Sequence, residues 1–360
     1  MFRKSISFFC FLFITGIPSG FAQTSSVDGV IEFAVKKADS LYRESKVPGI
    51  FIGISNNDIN KYIDLGYADP DNKIRFDSLT VFEAGSVTKT FTAYIVAAVL
   101  KEKGIPDTVS ISKYLPDSVQ SNRVLEKISF LNLLNHTSGL PRLPDNMGMA
   151  GESMSPYDQY NAAKLFEYLK TAVPKPNGKS NYSNLGMGLA GVLAEMISGK
   201  SYEALLEHYI FVPFNIGSIK NLPGKSGIKS QGYFNGEKSS FWNMDVLAPA
   251  GGLKCSATEM LAYLNYMSRP LNKAIGMQIS NLLEPTVVLN KKVNVCRGWL
   301  TYEQQGKPAI YWHNGGTFGF STFAAFIKET RQAVIVVVNK FNQNMVSDAL
   351  GMEIMKKMLE

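Results

Sequence analysis

Ser86-Val87-Thr88-Lys89 sets a hydroxyl and an amine three residues apart, and on a helix that spacing puts both on one face. A serine hydroxyl becomes a nucleophile when an adjacent base takes its proton. Lysine serves as that base when burial and neighbouring positive charge hold it neutral. A helix N-terminus also aims backbone N–H groups at a developing oxyanion. The tetrapeptide pattern alone is weak, because it recurs at Ser110–Lys113 and Ser226–Lys229. Context separates the three. Ser110 runs into Leu115-Pro116, which ends a helix, and Ser226 lies among Pro223, Gly224, Lys225 and Gly227. Only Ser86 opens a long apolar-periodic segment, with Phe91, Tyr94, Ile95, Ala98 and Val99 on the buried stripe.

The elements that must position this pair follow from hydrophobic spacing. Val27 to Glu44 has helical periodicity and stops at Pro48-Gly49. Ile50–Ser55 and Tyr62–Leu65 read as strands joined by the turn Asn56-Asn57-Asp58. A mainly helical middle follows, with helices predicted over Val87–Glu102, Ala162–Thr171, Asn184–Ser198 and Thr258–Met267. Ser256 and Glu259 have capping-box spacing, and Gly199 sits where a helix C-terminus favours glycine. Strands return at Gly298–Tyr302, Ala309–His313, Ser321–Ile327 and Ala333–Val338, before a last helix over Met345–Met358. This order predicts an α/β (α+β) fold: an antiparallel sheet flanked by N- and C-terminal helices, with a large inserted helical lobe. The expected division is 23–85 plus 290–360 for the sheet lobe and 86–289 for the helical lobe, with the site in the cleft between them.

The 360 residues suffice for a large core, and 45% hydrophobic content excludes a disordered chain. Net charge is +7, or about +5 once Arg3 and Lys4 are removed with a leader. The remaining basic residues are scattered, which argues against a nucleic-acid partner. Met1 to Gln23 has the plan of a secretory signal: Arg3 and Lys4, an apolar run around Phe8–Ile14, and small residues Gly20 and Ala22 at the cleavage position. Residues 1–22 are therefore expected to be removed, and the protein to be periplasmic or extracellular, with no stable membrane span. Three cysteines and three histidines are too dispersed for a zinc framework, and Cys255 and Cys296 are expected as buried thiols rather than a disulfide.

Taken with its neighbours, the segment Phe82-Glu83-Ala84-Gly85-Ser86-Val87-Thr88-Lys89 resembles the nucleophile motif of the class C β-lactamase / serine D-Ala-D-Ala-carboxypeptidase superfamily, the penicillin-recognising serine hydrolases. Further ordered matches are Val47-Pro48-Gly49, Gly66-Tyr67-Ala68-Asp69, Lys113-Tyr114-Leu115-Pro116 and Leu133-Leu134-Asn135-His136-Thr137-Ser138-Gly139-Leu140-Pro141. Tyr182-Ser183-Asn184, Gly251-Gly252-Leu253 and His313-Asn314-Gly315-Gly316 complete the set, which spans about residues 40 to 340.

The resemblance implies a β-lactamase/transpeptidase-like fold, an acyl-enzyme on Ser86, Lys89 as general base and Tyr182 as proton relay. It assigns substrate contacts to Asn184, His313, Asn314 and Gly315, and an oxyanion hole to the backbone N–H groups of Ser86 and Gly316. No cofactor or metal is implied. The implied partners are a β-lactam, a D-Ala-D-Ala peptide or an ester, with peptidoglycan as the polymeric source. A second Y-x-N, Tyr263 to Asn265, lies inside an apolar helix and carries no such role. His136 reads as a buttress of the cleft and His208 as a surface or packing residue. Asn342 and Asn344 both follow the last strand, where the family contacts a substrate carboxylate. His313-Asn314 departs from the usual lysine followed by a hydroxyl residue. A histidine of ordinary pKa is about one quarter protonated at pH 7, so activity is expected to depend on pH through His313. Carboxylesterase or D-amino-acid peptidase activity on the same scaffold, or a non-catalytic binding protein, are the competing readings.

Overall fold

The computed structural model describes residues 27–148, 156–216 and 228–360. The predicted leader and the motif at Ser226 lie outside the described residues. In chain order the main elements are α1 (Val27–Ser45), β1 (Gly49–Asn56), β2 (Ile59–Gly66), α2 (Thr88–Glu102), α3 (Ala162–Thr171), α4 (Asn184–Ser198), α5 (Ala257–Ser268) and α6 (Lys273–Leu283). They are followed by β3 (Val287–Val288), β4 (Val293–Val295), β5 (Leu300–Tyr302), β6 (Ile310–Gly316), β7 (Ser321–Ile327), β8 (Gln332–Val338) and α7 (Asn344–Met358).

One eight-stranded sheet has the order β2-β1-β8-β7-β6-β5-β4-β3, antiparallel throughout. Asn57 and Asp58 both take positive φ, which gives the β1–β2 hairpin its two-residue turn. β7 and β8 are buried along their whole length because helices cover both faces. Alternation sorts their side chains. Phe323, Ala325, Val334 and Val336 join Ile50, Ile52 and Ile54 against α1 and α7. Phe326, Ala324, Ile335 and Val337 face the larger core shared with α2, α4 and α5. Gly351 of α7 packs flat on β7, where a Cβ would come within 2.1 Å of the Phe323 ring.

The cap signals are realised. Ser256 and Glu259 form a reciprocal capping box at α5, and Gly199 closes α4 in the left-handed region. Of these main elements, three were not foreseen: α6, and the short strands β3 and β4 at one end of the sheet. Cys255 and Cys296 are both free and buried. Among the described residues, no helix is long and apolar enough to cross a membrane.

Candidate active site

Phe82-Glu83 pairs with Lys254-Cys255, and Ala84 N–H donates to Leu253 O at 2.9 Å, which delivers the chain to the nucleophile turn. Gly85 has φ +52°, and a Cβ there would lie 2.7 Å from the Gly316 nitrogen. Glycine is needed for both the backbone angle and the close approach. Ser86 occupies a 3-10 turn, Gly85–Val87, and α2 proper starts at Thr88, one residue later than the sequence predicts. Thr88 Oγ1 donates to Gly85 O at 2.6 Å and accepts from Leu253 N–H at 3.1 Å, locking that turn.

The spacing argument holds in space: Lys89 Nζ lies 3.0 Å from Ser86 Oγ and donates to Ala250 O at 2.6 Å. Lys89 is fully buried. Burial, followed by the nearby Arg142 charge, holds its pKa well below the ordinary lysine value. Tyr182 is displaced in the opposite sense. Burial pushes its phenol up to about 12, against a lowering hydrogen bond with Ser86. An amine driven toward neutrality beside a phenol held protonated is the pairing that a general base and a proton donor require. Lys89 Nζ lies 4.7 Å from the Tyr182 ring centroid, and the His136 ring lies 4.6 Å from it on another side.

Asn184 is the first residue of α4. Ser183 caps that helix by accepting from Gly186 N–H at 2.8 Å, and Ser183 N–H donates to His136 Nδ1 at 3.2 Å. His136 is thus a buttress, held neutral by burial with its pKa near 3. Asn184 is 9% exposed, lines the cavity at Ser86, and its Oδ1 is buried without a hydrogen-bond partner.

That cavity has a volume of about 290 Å³. Ser86, Asn184 and Gly316 line it, together with Arg142, Tyr157 and Trp242. Asn342 and Asn344 line it too, and Asn344 Nδ2 donates to Gly315 O at 2.8 Å, tying α7 to the end of β6. Gly315 is a close-approach position: a Cβ would come 2.1 Å from Ala84 O and 2.4 Å from Thr322 Oγ1. Gly315→Ala is expected to cost about 1–3 kcal/mol in a urea melt and to slow any reaction at Ser86, because β6 must retreat from the nucleophile turn.

Two sequence expectations for β6 need correction. Asn314 does not line the Ser86 cavity, because strand alternation points its amide at α7, where Nδ2 donates to Asp348 Oδ2 at 2.6 Å. His313 is 4% exposed and, like Tyr182, is not among the walls of that cavity, its ring centroid lying 6.3 Å from that of Tyr182. It faces a second, mostly apolar cavity of about 220 Å³ shared with Tyr182 and His136. Its Nδ1 lies 2.6 Å from Asn314 O; a carbonyl only accepts, so Nδ1 carries the proton. Burial, then Lys89, pushes the His313 pKa down to about 3. With its pKa that low the ring is expected to be neutral at pH 5.5–8, so no pH dependence through His313 is expected there. The imidazole resonances of His313 and His136 are expected to stay constant from pH 5 to 8 by NMR; a midpoint inside that range at either ring contradicts the assignment. Both rings are neutral in the fold and protonated in the unfolded chain below pH 6.5, so their contribution to stability falls as pH drops from about 6.5 toward 3.

Sequence reasoning missed Arg142, Tyr157, Trp242, Phe318 and Phe341 as cavity walls, and Glu83 as their brace. Glu83 accepts from Trp242 N–H at 2.5 Å and from Thr317 Oγ1 at 2.8 Å, joining two walls. Arg142 had a signal, since it directly follows the Gly139-Leu140-Pro141 motif. The aromatic residues come from loops far apart in sequence and had none.

Comparison with known proteins agrees with this geometry. A β-lactamase of Providencia stuartii is 26% identical over 361 aligned residues, covering 90% of this chain and 88% of that protein. The D-alanyl-D-alanine-carboxypeptidase/endopeptidase AmpH of Escherichia coli K12 is 25% identical, covering 84% and 82%. The crystal structure of a β-lactamase/D-alanine carboxypeptidase from Pseudomonas syringae shares the fold with a TM-score of 0.77, covering 91% of this chain and 99% of that one at 20% identity. The Beta-lactamase family model matches residues 34–356, nearly the whole described chain, and the protein belongs to that family of serine hydrolases.

Proposed function

We propose that the protein forms an acyl-enzyme on Ser86 with β-lactam or D-Ala-D-Ala-type amides. The observation that carries this is the 3.0 Å contact between Ser86 Oγ and a fully buried Lys89 amine whose pKa is strongly depressed. The amine lone pair takes the hydroxyl proton as Oγ attacks the carbonyl carbon. The tetrahedral oxyanion is received by the backbone N–H groups of Ser86 and Gly316, each such donor being worth about a hundred- to a thousand-fold in rate. As the C–N bond breaks, the Tyr182 phenol protonates the leaving nitrogen and recovers a proton from the Lys89 ammonium. Water then enters and hydrolyses the ester, restoring Ser86. Asn184 supplies the amide contact. The leader reading adds export to a periplasmic or extracellular site, where such substrates occur.

The esterase reading uses the same first steps and is favoured by one feature: β6 brings no cation into the cavity. A non-catalytic binder has no use for the Ser86–Lys89 pair. Incubation with a fluorescent penicillin followed by intact-mass analysis is expected to show one covalent adduct on wild type and none on Ser86→Ala. Rapid release of the adduct marks a β-lactamase and slow release a penicillin-sensitive peptidase. A wild-type protein that takes up neither penicillin nor fluorophosphonate refutes the proposal.

A further inference from the structure

Among the described residues, the walls of the Ser86 cavity include one charged side chain, Arg142, and no aspartate or glutamate. Lys89 sits behind the wall as a suppressed base, and His313, its pKa pushed down to about 3, lines the adjoining cavity with Tyr182. The cavity's positive charge therefore comes from a loop, not from the strand where the sequence places it. We propose that the Arg142 guanidinium is the anion-recognition group of this site and selects substrates bearing a carboxylate within about two residues of the scissile carbonyl. This deepens the acyl-enzyme reading and rests on it.

Three observations support the assignment. The Arg142 backbone is anchored: its carbonyl accepts from Asn184 N–H at 3.0 Å and Leu185 N–H at 3.2 Å, so it moves with the start of α4. Arg142 Cζ lies 5.3 Å from the centroid of the Tyr182 ring, the same ring that carries Lys89 Nζ at 4.7 Å. The guanidinium thus stands beside the reacting groups, within the span of one or two extended residues at roughly 3.5 Å each. Asn184 lines the same cavity, so the two can engage one ligand, Arg142 taking a carboxylate through paired N–H bonds and Asn184 taking an amide. Arg142 is exposed while Asn184 is buried, which keeps the guanidinium reachable.

Arg142 also depresses the Lys89 pKa, so its removal alters turnover of every substrate. The test therefore reads binding, in a Ser86→Ala background, of an N-acyl-D-alanyl-D-alanine and of its C-terminal amide by NMR titration. The free acid is expected to bind at least about tenfold more tightly than the amide, with the preference weakening as salt rises. Ser86→Ala/Arg142→Gln is expected to bring acid and amide within about twofold of each other, and Arg142→Lys to restore part of the difference. Equal binding of acid and amide, binding of neither, or a preference that survives Arg142→Gln overturns the proposal. Labelling of the Ser86-intact protein by a neutral fluorophosphonate reports separately on the nucleophile, so its failure strikes the acyl-enzyme reading and not the anion site alone.

Discussion

Ser86→Ala is expected to lower kcat/KM by about 10⁴-fold or more on any substrate the protein turns over, with the fold intact. The size follows from what remains. Without Oγ there is no covalent route, and the oxyanion donors and cavity walls can only orient a direct attack by water. The fold survives because Oγ is partly exposed and its partners are Lys89 and Tyr182, both held independently: Lys89 by Ala250 O, Tyr182 by ring packing on His136. Circular dichroism and a melting curve that match wild type, together with lost turnover, give the expected pattern. Retained turnover would mean that the chemistry happens elsewhere.

Lys89→Met is expected to slow acylation by about a thousand-fold, the scale of a lost general base, while leaving a packed core. Its effect on stability has a distinctive sign. The Lys89 amine is neutral in the fold at pH values where the unfolded chain keeps its lysines protonated. Between the depressed folded pKa and 10.5 the unfolded state binds one more proton, so wild-type stability rises with pH through that window. Methionine has nothing to titrate. Urea melts of both proteins at rising pH below 10.5 should show wild type gaining on Lys89→Met, with a slope that approaches one proton's worth, about 1.4 kcal/mol per pH unit, between the two pKa values. Parallel curves would mean that Lys89 is charged in the fold.

Local patterns exposed much of this architecture. The apolar stripe of α2 and the paired spacing of Ser86 and Lys89 are both properties of one helix, and both survive into the structure because helical geometry alone fixes them. The end of α4 was legible in Gly199, a residue whose backbone preference acts where it stands. β7 and β8 are continuous apolar runs, as double-sided burial requires. β3 and β4, by contrast, are two- and three-residue strands at the end of the sheet, with Val288 74% exposed; segments that short carry no alternation to read.

His313 shows the other limit. Its identity was visible, and its protonation was not, because that depends on burial and on Lys89, 224 positions away in sequence. The same holds for Asn314, whose partner Asp348 belongs to α7. The cavity walls Trp242, Phe318 and Phe341 meet only after the chain has folded, and Arg142 gains meaning only when the charge expected at His313 proves absent.

The state of the Lys89 amine is measurable without any substrate. In protein carrying ¹³C-labelled lysine, one Cε resonance should titrate well below all the others and vanish in Lys89→Met. If every lysine instead titrates together near 10.5, Lys89 is an ammonium that cannot accept the Ser86 proton, and the mechanism fails at its first step.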